Sequence, residues 1–193
     1  MSPPNPVPPE PQRTLPARPL RSALLAAALL VAGLALAPRH AAAAVPHCGA
    51  TPAPDDVLRR VNAIRASGAP CRPAGHAGAA PLRWNAQLAD AATAQSDAMA
   101  ALSRMGHRDR LDRGLGERLQ AQGYRYSAAV ENVAVGYASI DAVVDAWLLS
   151  DSHCANLMHA TVVELGVACI DGASAVAAEG RYWTLVLGAP RRP

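Results

Sequence analysis

Residues 162–187 read VVELGVACIDGASAVAAEGRYWTLVL, and this stretch decides the fold class. Its two flanks, Val162–Ile170 and Tyr182–Leu187, are rich in the branched and aromatic residues that favour β-strands. The segment Asp171–Gly180 between them consists largely of Gly and Ala. Two strand candidates joined by such a connection are most simply paired as an antiparallel hairpin.

Four segments upstream of this hairpin have the spacing of amphipathic helices. They span residues 54–67, 85–105, 117–122 and 139–150. Asn85 and Ser139 are suited to cap the second and the last of these helices. Helices that precede an antiparallel sheet predict an α+β fold and exclude a doubly wound parallel sheet.

A carboxylate interrupts the β-prone run at residues 130–136, which reads VENVAVG. Burial of Glu131 is costly unless the side chain is paired, so the run predicts an imidazolium, a metal ion or a backbone amide as its partner. His107 follows Gly106, which is expected to end the second helix. Its imidazole can point across a cleft or can cap the helix C-terminus, and the sequence leaves both readings open.

The charge of the chain is concentrated at its N-terminus. All 18 basic residues are Arg, and residues 1–44 contain four of them against the single acid Glu10. Subtracting these from the 18 basic and 15 acidic residues leaves 14 of each in residues 45–193. A formally neutral domain without a basic run gives no support for nucleic-acid binding.

Residues 1–44 have the anatomy of a signal peptide with a Pro-rich prefix. The apolar run Ser22–Ala37 is shorter than the roughly 20 residues that span a bilayer as a helix, and the small residues Ala41–Ala44 offer a cleavage site before Val45. We therefore expect a secreted protein, extracellular or periplasmic. The alternative is an uncleaved leader, which would be its one membrane contact.

Four cysteines follow the leader: Cys48, Cys71, Cys154 and Cys169. No two of them form a CxxC pair, and an even number in an exported chain favours disulfides over a metal site. Four cysteines allow three pairings. We predict Cys48–Cys71 and Cys154–Cys169, the second of which would close a loop of about 15 residues; free buried thiols are the alternative.

Several motifs, taken in order, resemble the CAP superfamily of cysteine-rich secretory, antigen 5 and pathogenesis-related proteins, with its short bacterial SCP-like members. The motifs are Leu82-Arg83-Trp84-Asn85, Gly106-His107, Glu131-Asn132-Val133-Ala134, Trp147 to His153, Asn156-Leu157-Met158, Glu164-Leu165-Gly166-Val167-Ala168 and Tyr182-Trp183-Thr184. The resemblance places the domain at residues 54–187, between an N-terminal segment at 45–53 and a tail at 188–193. It implies an α-β-α sandwich with a small antiparallel sheet between helices and a surface cleft.

The resemblance also implies a site in that cleft. Members with a full site present two His and two Glu, and some bind a divalent ion such as zinc. The first His matches His107, the Glu of the Glu-Asn motif matches Glu131, and the second His matches His153. The position of the second Glu falls on Ser150, and Gln95 stands where bacterial relatives often carry a His.

The resulting hypothesis is a binding module whose cleft contains His107, Glu131, Asn132, Ser150 and His153. Its partner would be an extracellular small molecule, a lipid or a protein. No cofactor is required, although His107, Glu131 and His153 form a chemically sensible set for Zn²⁺ or another divalent cation; a hydrogen-bonded cluster without metal is the alternative.

Two other functions stay open at this stage. One is a divalent-metal-dependent extracellular hydrolase, for which the sequence offers no GxSxG nucleophile motif and no assigned catalytic residue. The other is a structural or interaction domain whose partner surface lies away from the cleft.

Overall fold

The computed structural model confirms the predicted α+β class, and the residues it describes form five helices and a four-stranded sheet whose last two strands follow all of these helices. It describes residues 48, 52–69, 71, 77–172 and 180–191. The expectations about the leader and its cleavage therefore lie outside the described residues. The helices are α1 (Pro54–Ser67), α2 (Ala86–Leu102), α3 (Leu115–Ala121), α4 (Ile140–Leu148) and α5 (Asp151–Leu157), and the strands are β1 (Arg83–Trp84), β2 (Tyr126–Val135), β3 (Glu164–Asp171) and β4 (Arg181–Pro190).

The sheet has the strand order β1-β3-β4-β2. Strands β3 and β4 form the predicted antiparallel hairpin, with Leu165 opposite Leu187, and β2 pairs antiparallel with the other side of β4. The two-residue strand β1 was not predicted, and it pairs parallel to β3. The sheet therefore contains one parallel pair, at the edge formed by β1. A strand of two residues has no periodic pattern by which the sequence could reveal it.

Side chains of β3 and β4 alternate between two helical layers, as strand geometry requires. Leu165, Val167 and Leu185 pack in one core with α1, α4 and α5. Ala168 and Val186 point to the opposite face, where they pack with α2 and α3. This is the α-β-α sandwich implied by the family resemblance.

Helix α2 lies very close to β3 at Gly166. A Cβ atom at this position would lie 2.1 Å from the backbone nitrogen of Ala89 and 2.5 Å from the carbonyl carbon of Leu88. Only a residue without a side chain allows the helix and the strand to approach this closely.

The predicted helix caps are present at Asn85 and Ser139. Their side-chain oxygens accept hydrogen bonds from Leu88 N and Ala142 N, respectively. Helix α2 ends at Leu102, three residues before the predicted end at Met105. Ser103 adopts the left-handed conformation with a φ of 46°, and this ends the helix before Gly106 is reached.

The predicted disulfide pairing is wrong. Cys48 is bonded to Cys169, and Cys71 is bonded to Cys154, with Cα–Cα distances of 5.4 and 5.5 Å. The prediction of two disulfides is confirmed, but each joins segments that lie far apart in the sequence. The bonds therefore follow the packing of the elements and not the shortest loops.

The contacts of Arg65 explain why Cys71 reaches α5. Its guanidinium is fully buried near the end of α1, and it donates hydrogen bonds to the carbonyl oxygens of Leu157 at 2.7 Å and His159 at 3.2 Å. These carbonyls lie at the end of α5, the helix that contains Cys154. The chain that follows α1 is thereby held against that helix.

Among the described residues, no helix is both long and apolar enough to span a membrane.

Candidate functional site

Glu131 lies on β2, and the alternation of this strand directs it toward α2 and α3. Its side chain is 4% exposed and contacts two basic groups. The Oε1 atom lies 2.9 Å from His107 Nδ1, and Oε2 accepts a hydrogen bond from Arg118 Nη2. The buried carboxylate thus has the imidazole partner that its burial demands, together with a guanidinium that the sequence analysis missed.

Arg118 comes from α3 and is 1% exposed. Besides Glu131, it donates from Nη1 to the carbonyl oxygens of His107 at 3.1 Å and Arg113 at 3.0 Å. One sequence signal could have identified it, since it lies three residues after Leu115 and next to Leu119, on the apolar side of a short helix. The same helix spacing does not show that Glu131 is the partner of Arg118.

The loop that contains His107 is held from α2 by Gln95. This fully buried amide donates to the carbonyl oxygens of Gly106 at 2.7 Å and Arg108 at 3.3 Å. Together with the bond from Arg118 to the His107 carbonyl, three consecutive carbonyl groups are fixed by buried side chains. Gln95 therefore orients the loop. It occupies the position at which the family resemblance implies a His in many bacterial relatives.

His153 lies on α5, and two asparagines connect that helix to β2. Asn132 points to the face opposite Glu131 and donates to the His153 carbonyl oxygen at 3.0 Å. Asn156 donates to the Asn132 side-chain oxygen at 2.8 Å and to the Glu131 carbonyl oxygen at 3.2 Å. This second bond satisfies a backbone carbonyl of β2. Both amides thus bind backbone carbonyls, and they fix the position of His153 relative to Glu131.

The two imidazoles have opposite pKa shifts. The hydrogen bond to Glu131 raises the pKa of His107, partly opposed by burial and by the charge of Arg118. Burial lowers the pKa of His153, and the nearby charge of His107 lowers it further. The contact with Glu131 therefore favours the protonated form of His107, whereas burial favours the neutral form of His153.

Ser150 lies outside this network of contacts. It is the N-cap residue of α5, and its hydroxyl lies 3.4 Å from that of Ser152. In the residues that the structure describes, the hydrogen bonds of Ser150 do not reach His107, Glu131 or His153. The position at which the resemblance places a second Glu therefore supplies no carboxylate.

The contacts of Glu131 do not fit the role of a metal ligand. One carboxylate oxygen is bound to the His107 ring and the other to the Arg118 guanidinium. Within the described ranges, no group of three or more His, Cys, Asp or Glu residues is arranged to hold a metal ion. The predicted set of His107, Glu131 and His153 would have to break an existing ion pair to bind one.

A sequence model of the cysteine-rich secretory protein family matches residues 58–187. The match covers His107, Arg118 and Glu131, all of β3 and most of β4. No curated protein sequence matches the chain.

Two solved structures resemble the fold at low sequence identity. An extracellular protein containing an SCP domain from Bacillus anthracis is 23% identical with a TM-score of 0.58, over 74% of this chain and 41% of that chain. An outer surface protein from Borrelia burgdorferi is 14% identical with a TM-score of 0.59, over 71% of this chain and 92% of that chain. This chain therefore aligns with less than half the length of the Bacillus protein, and likeness at these identities shows the fold alone.

Proposed function

This chain belongs to the cysteine-rich secretory protein family, and from that membership we propose that it is an extracellular binding module. Its ligand would contact the imidazole rings of His107 and His153. The ligand class we favour is a small amphiphile with an acidic head group, such as a fatty acid.

The observation that carries this proposal is the contrast in exposure between His107 and the groups that hold it. The His107 side chain is 59% exposed, whereas that of Glu131 is 4% exposed and that of Arg118 is fully buried. A buried ion pair that serves only stability does not need to hold an exposed ring. Such an arrangement instead presents an oriented imidazole to solvent, which is what a binding site requires.

The hydrogen-bonding capacity of the two rings favours an acidic head group. With Nδ1 of His107 bound to Glu131, Nε2 is the ring nitrogen left for a ligand. Because the pKa of His107 is raised, its ring is the more often protonated of the two and can donate from Nε2 to a carboxylate oxygen.

Exposed apolar side chains precede His107 and suit the chain of such an amphiphile. Leu102, the last residue of α2, is 46% exposed, and Met105, two residues before His107, is 52% exposed. An aliphatic chain that covers them would be stabilised by roughly 25 cal/mol for each Å² of apolar surface removed from water.

The experiment is a calorimetric titration of the chain with sodium decanoate, with decanol as the uncharged ligand of equal chain length. We expect decanoate to bind more tightly than decanol, and His107→Ala to weaken decanoate binding by about tenfold, since a hydrogen bond to a charged group contributes about 1.5–3 kcal/mol. His159→Ala is the matched control, because this imidazole contacts Thr161 and not the cluster. Equal decanoate affinity in wild type, His107→Ala and His153→Ala would contradict the proposal.

The extracellular location is supported by the two disulfides, which persist in oxidising compartments. The structural relative from Bacillus anthracis is itself described as an extracellular protein. Intact mass of the product recovered from outside the cytoplasm, with and without reductant, tests the location and the cleavage before Val45. A product found only in the cytoplasm with free thiols would exclude the extracellular location.

A hydrolase is the second candidate function, and the observation that favours it is the pairing of the His107 ring with a buried carboxylate. The same pairing orients the general base of many hydrolases. In the described part of the chain, however, the hydroxyls of Ser150 and Ser152 lie next to each other and are not bonded to an imidazole. Turnover of peptide or ester libraries that is lost in His153→Ala would favour this function over binding.

A structural domain is the remaining alternative. It is indicated if variants of His107, Glu131 and His153 retain all measured partner binding.

A further inference from the structure

We infer that Arg118 is a resident cation of this site and that it takes the place of a divalent metal ion beside Glu131. The inference concerns the charge balance of the cluster, and it holds whichever ligand the proposed function takes.

Both carboxylate oxygens of Glu131 already have partners. A metal ion bound through Oε2 would displace Arg118, and one bound through Oε1 would displace His107. Bidentate coordination would displace both. Glu131 therefore cannot become a metal ligand without losing either its ion pair with Arg118 or the contact that orients the His107 imidazole.

The contacts of Arg118 hold its guanidinium beside Glu131. Its side chain is fully buried, and Nη1 is bound to two backbone carbonyls while Nη2 is bound to Glu131. Release of the guanidinium would leave the carbonyls of His107 and Arg113 without their donor. An arginine stays protonated under all ordinary conditions, so the positive charge beside Glu131 is permanent.

The charges of the cluster also disfavour a divalent ion at Glu131. Glu131 and Arg118 neutralise each other, and Ser150 supplies no second carboxylate. A divalent ion placed at Glu131 would thus meet a neutral pair and would be repelled at short range by the buried guanidinium, in surroundings that screen charge less than water. The family's two-carboxylate arrangement would offer two negative charges instead.

The test is a calorimetric titration of the chain with Zn²⁺ alone. We expect Glu131→Gln to change the zinc affinity of wild type by less than about threefold, whereas loss of a metal ligand, or of a carboxylate that orients a metal-bound imidazole, weakens it by about tenfold or more. Arg118→Gln removes the cation and frees Glu131, so we expect zinc binding about tenfold tighter than in wild type. That gain should disappear in the Arg118→Gln/Glu131→Gln double variant.

Arg108→Gln is the matched control, since it removes the same charge next to His107 from a side chain that is 63% exposed and paired with Asp112. We expect its zinc affinity to equal that of wild type. If Glu131→Gln weakens zinc binding tenfold, or if a folded Arg118→Gln protein gains no affinity, the inference is wrong. Should Arg118→Gln fail to fold, the comparison of wild type with Glu131→Gln still decides it. Because decanoate is absent from this titration, failure of the inference is distinct from failure of the proposed function.

Discussion

At the scale of single residues, the ionisation of His107 depends on one carboxylate. The hydrogen bond that the imidazole donates to Glu131 raises the pKa of this ring, and burial and the charge of Arg118 act in the opposite direction. Once the carboxylate is removed, only the two opposing influences are left. The imidazole would then lose its proton at a lower pH than in wild type.

The corresponding prediction is that Glu131→Gln lowers the pKa of His107, measured by the pH dependence of its ring signals in NMR spectra. Since a raised pKa in the folded state stabilises the protein below the pKa of the unfolded chain, this contribution is present at about pH 5 and is lost as pH rises through the folded pKa. The stability difference between wild type and Glu131→Gln should therefore be larger at about pH 5 than at about pH 8. A difference that grows toward high pH would contradict it. The His159 signals, outside the cluster, serve as the internal control.

At the scale of elements, the packing of α2 on β3 depends on one position without a side chain. Backbone atoms of Leu88 and Ala89 occupy the space in which a Cβ of residue 166 would lie. Backbone cannot rotate away as a flexible side chain can, so the helix would have to move as a whole. The loop that follows α2 contains His107, and the geometry of the site therefore also depends on this contact.

We predict that Gly166→Ala destabilises the protein by about 1–3 kcal/mol or more, the usual effect of overpacking a core. The measurement is the midpoint of chemical unfolding. Gly106→Ala is the matched control, because a Cβ there has no atom within 4 Å and its backbone is not left-handed. Equal unfolding midpoints for Gly166→Ala and wild type would show that α2 can shift at little cost.

At the scale of the whole molecule, the two disulfides join the N-terminal part of the described chain to its C-terminal part. Cys48 is linked to β3, and Cys71 after α1 is linked to α5. The bonded residues are 121 and 83 positions apart in the sequence. Cross-links over such long separations restrict the unfolded chain more than short loops would.

We predict that replacing Cys71 and Cys154 together by Ala lowers the free energy of unfolding by about 2–5 kcal/mol. Peptide mapping without reductant should recover fragments in which Cys71 is joined to Cys154 and Cys48 to Cys169. Fragments that join Cys48 to Cys71 would instead support the pairing of neighbours in sequence. The variant in which Cys71 alone is replaced should contain one free thiol, that of Cys154, and because this residue is fully buried the thiol is titrated after unfolding.

The sequence by itself determined helices α1 to α4, the hairpin strands and the caps, because these depend on spacing and on residues within a few positions of one another. It also identified Glu131 as a buried carboxylate in need of a partner, since its apolar neighbours imply burial. The roles of His107 and His153 came from the family resemblance, which no local spacing could supply.

Only the tertiary structure decided the parallel strand β1, the cysteine pairing and the part played by Arg118. Each is a contact between segments that are distant along the chain, and such contacts depend on how the helical layers pack on the sheet. Arg118 illustrates the reason most directly. Its helix spacing marks a buried position, but the carboxylate that makes burial of its charge tolerable lies 13 residues away on another element.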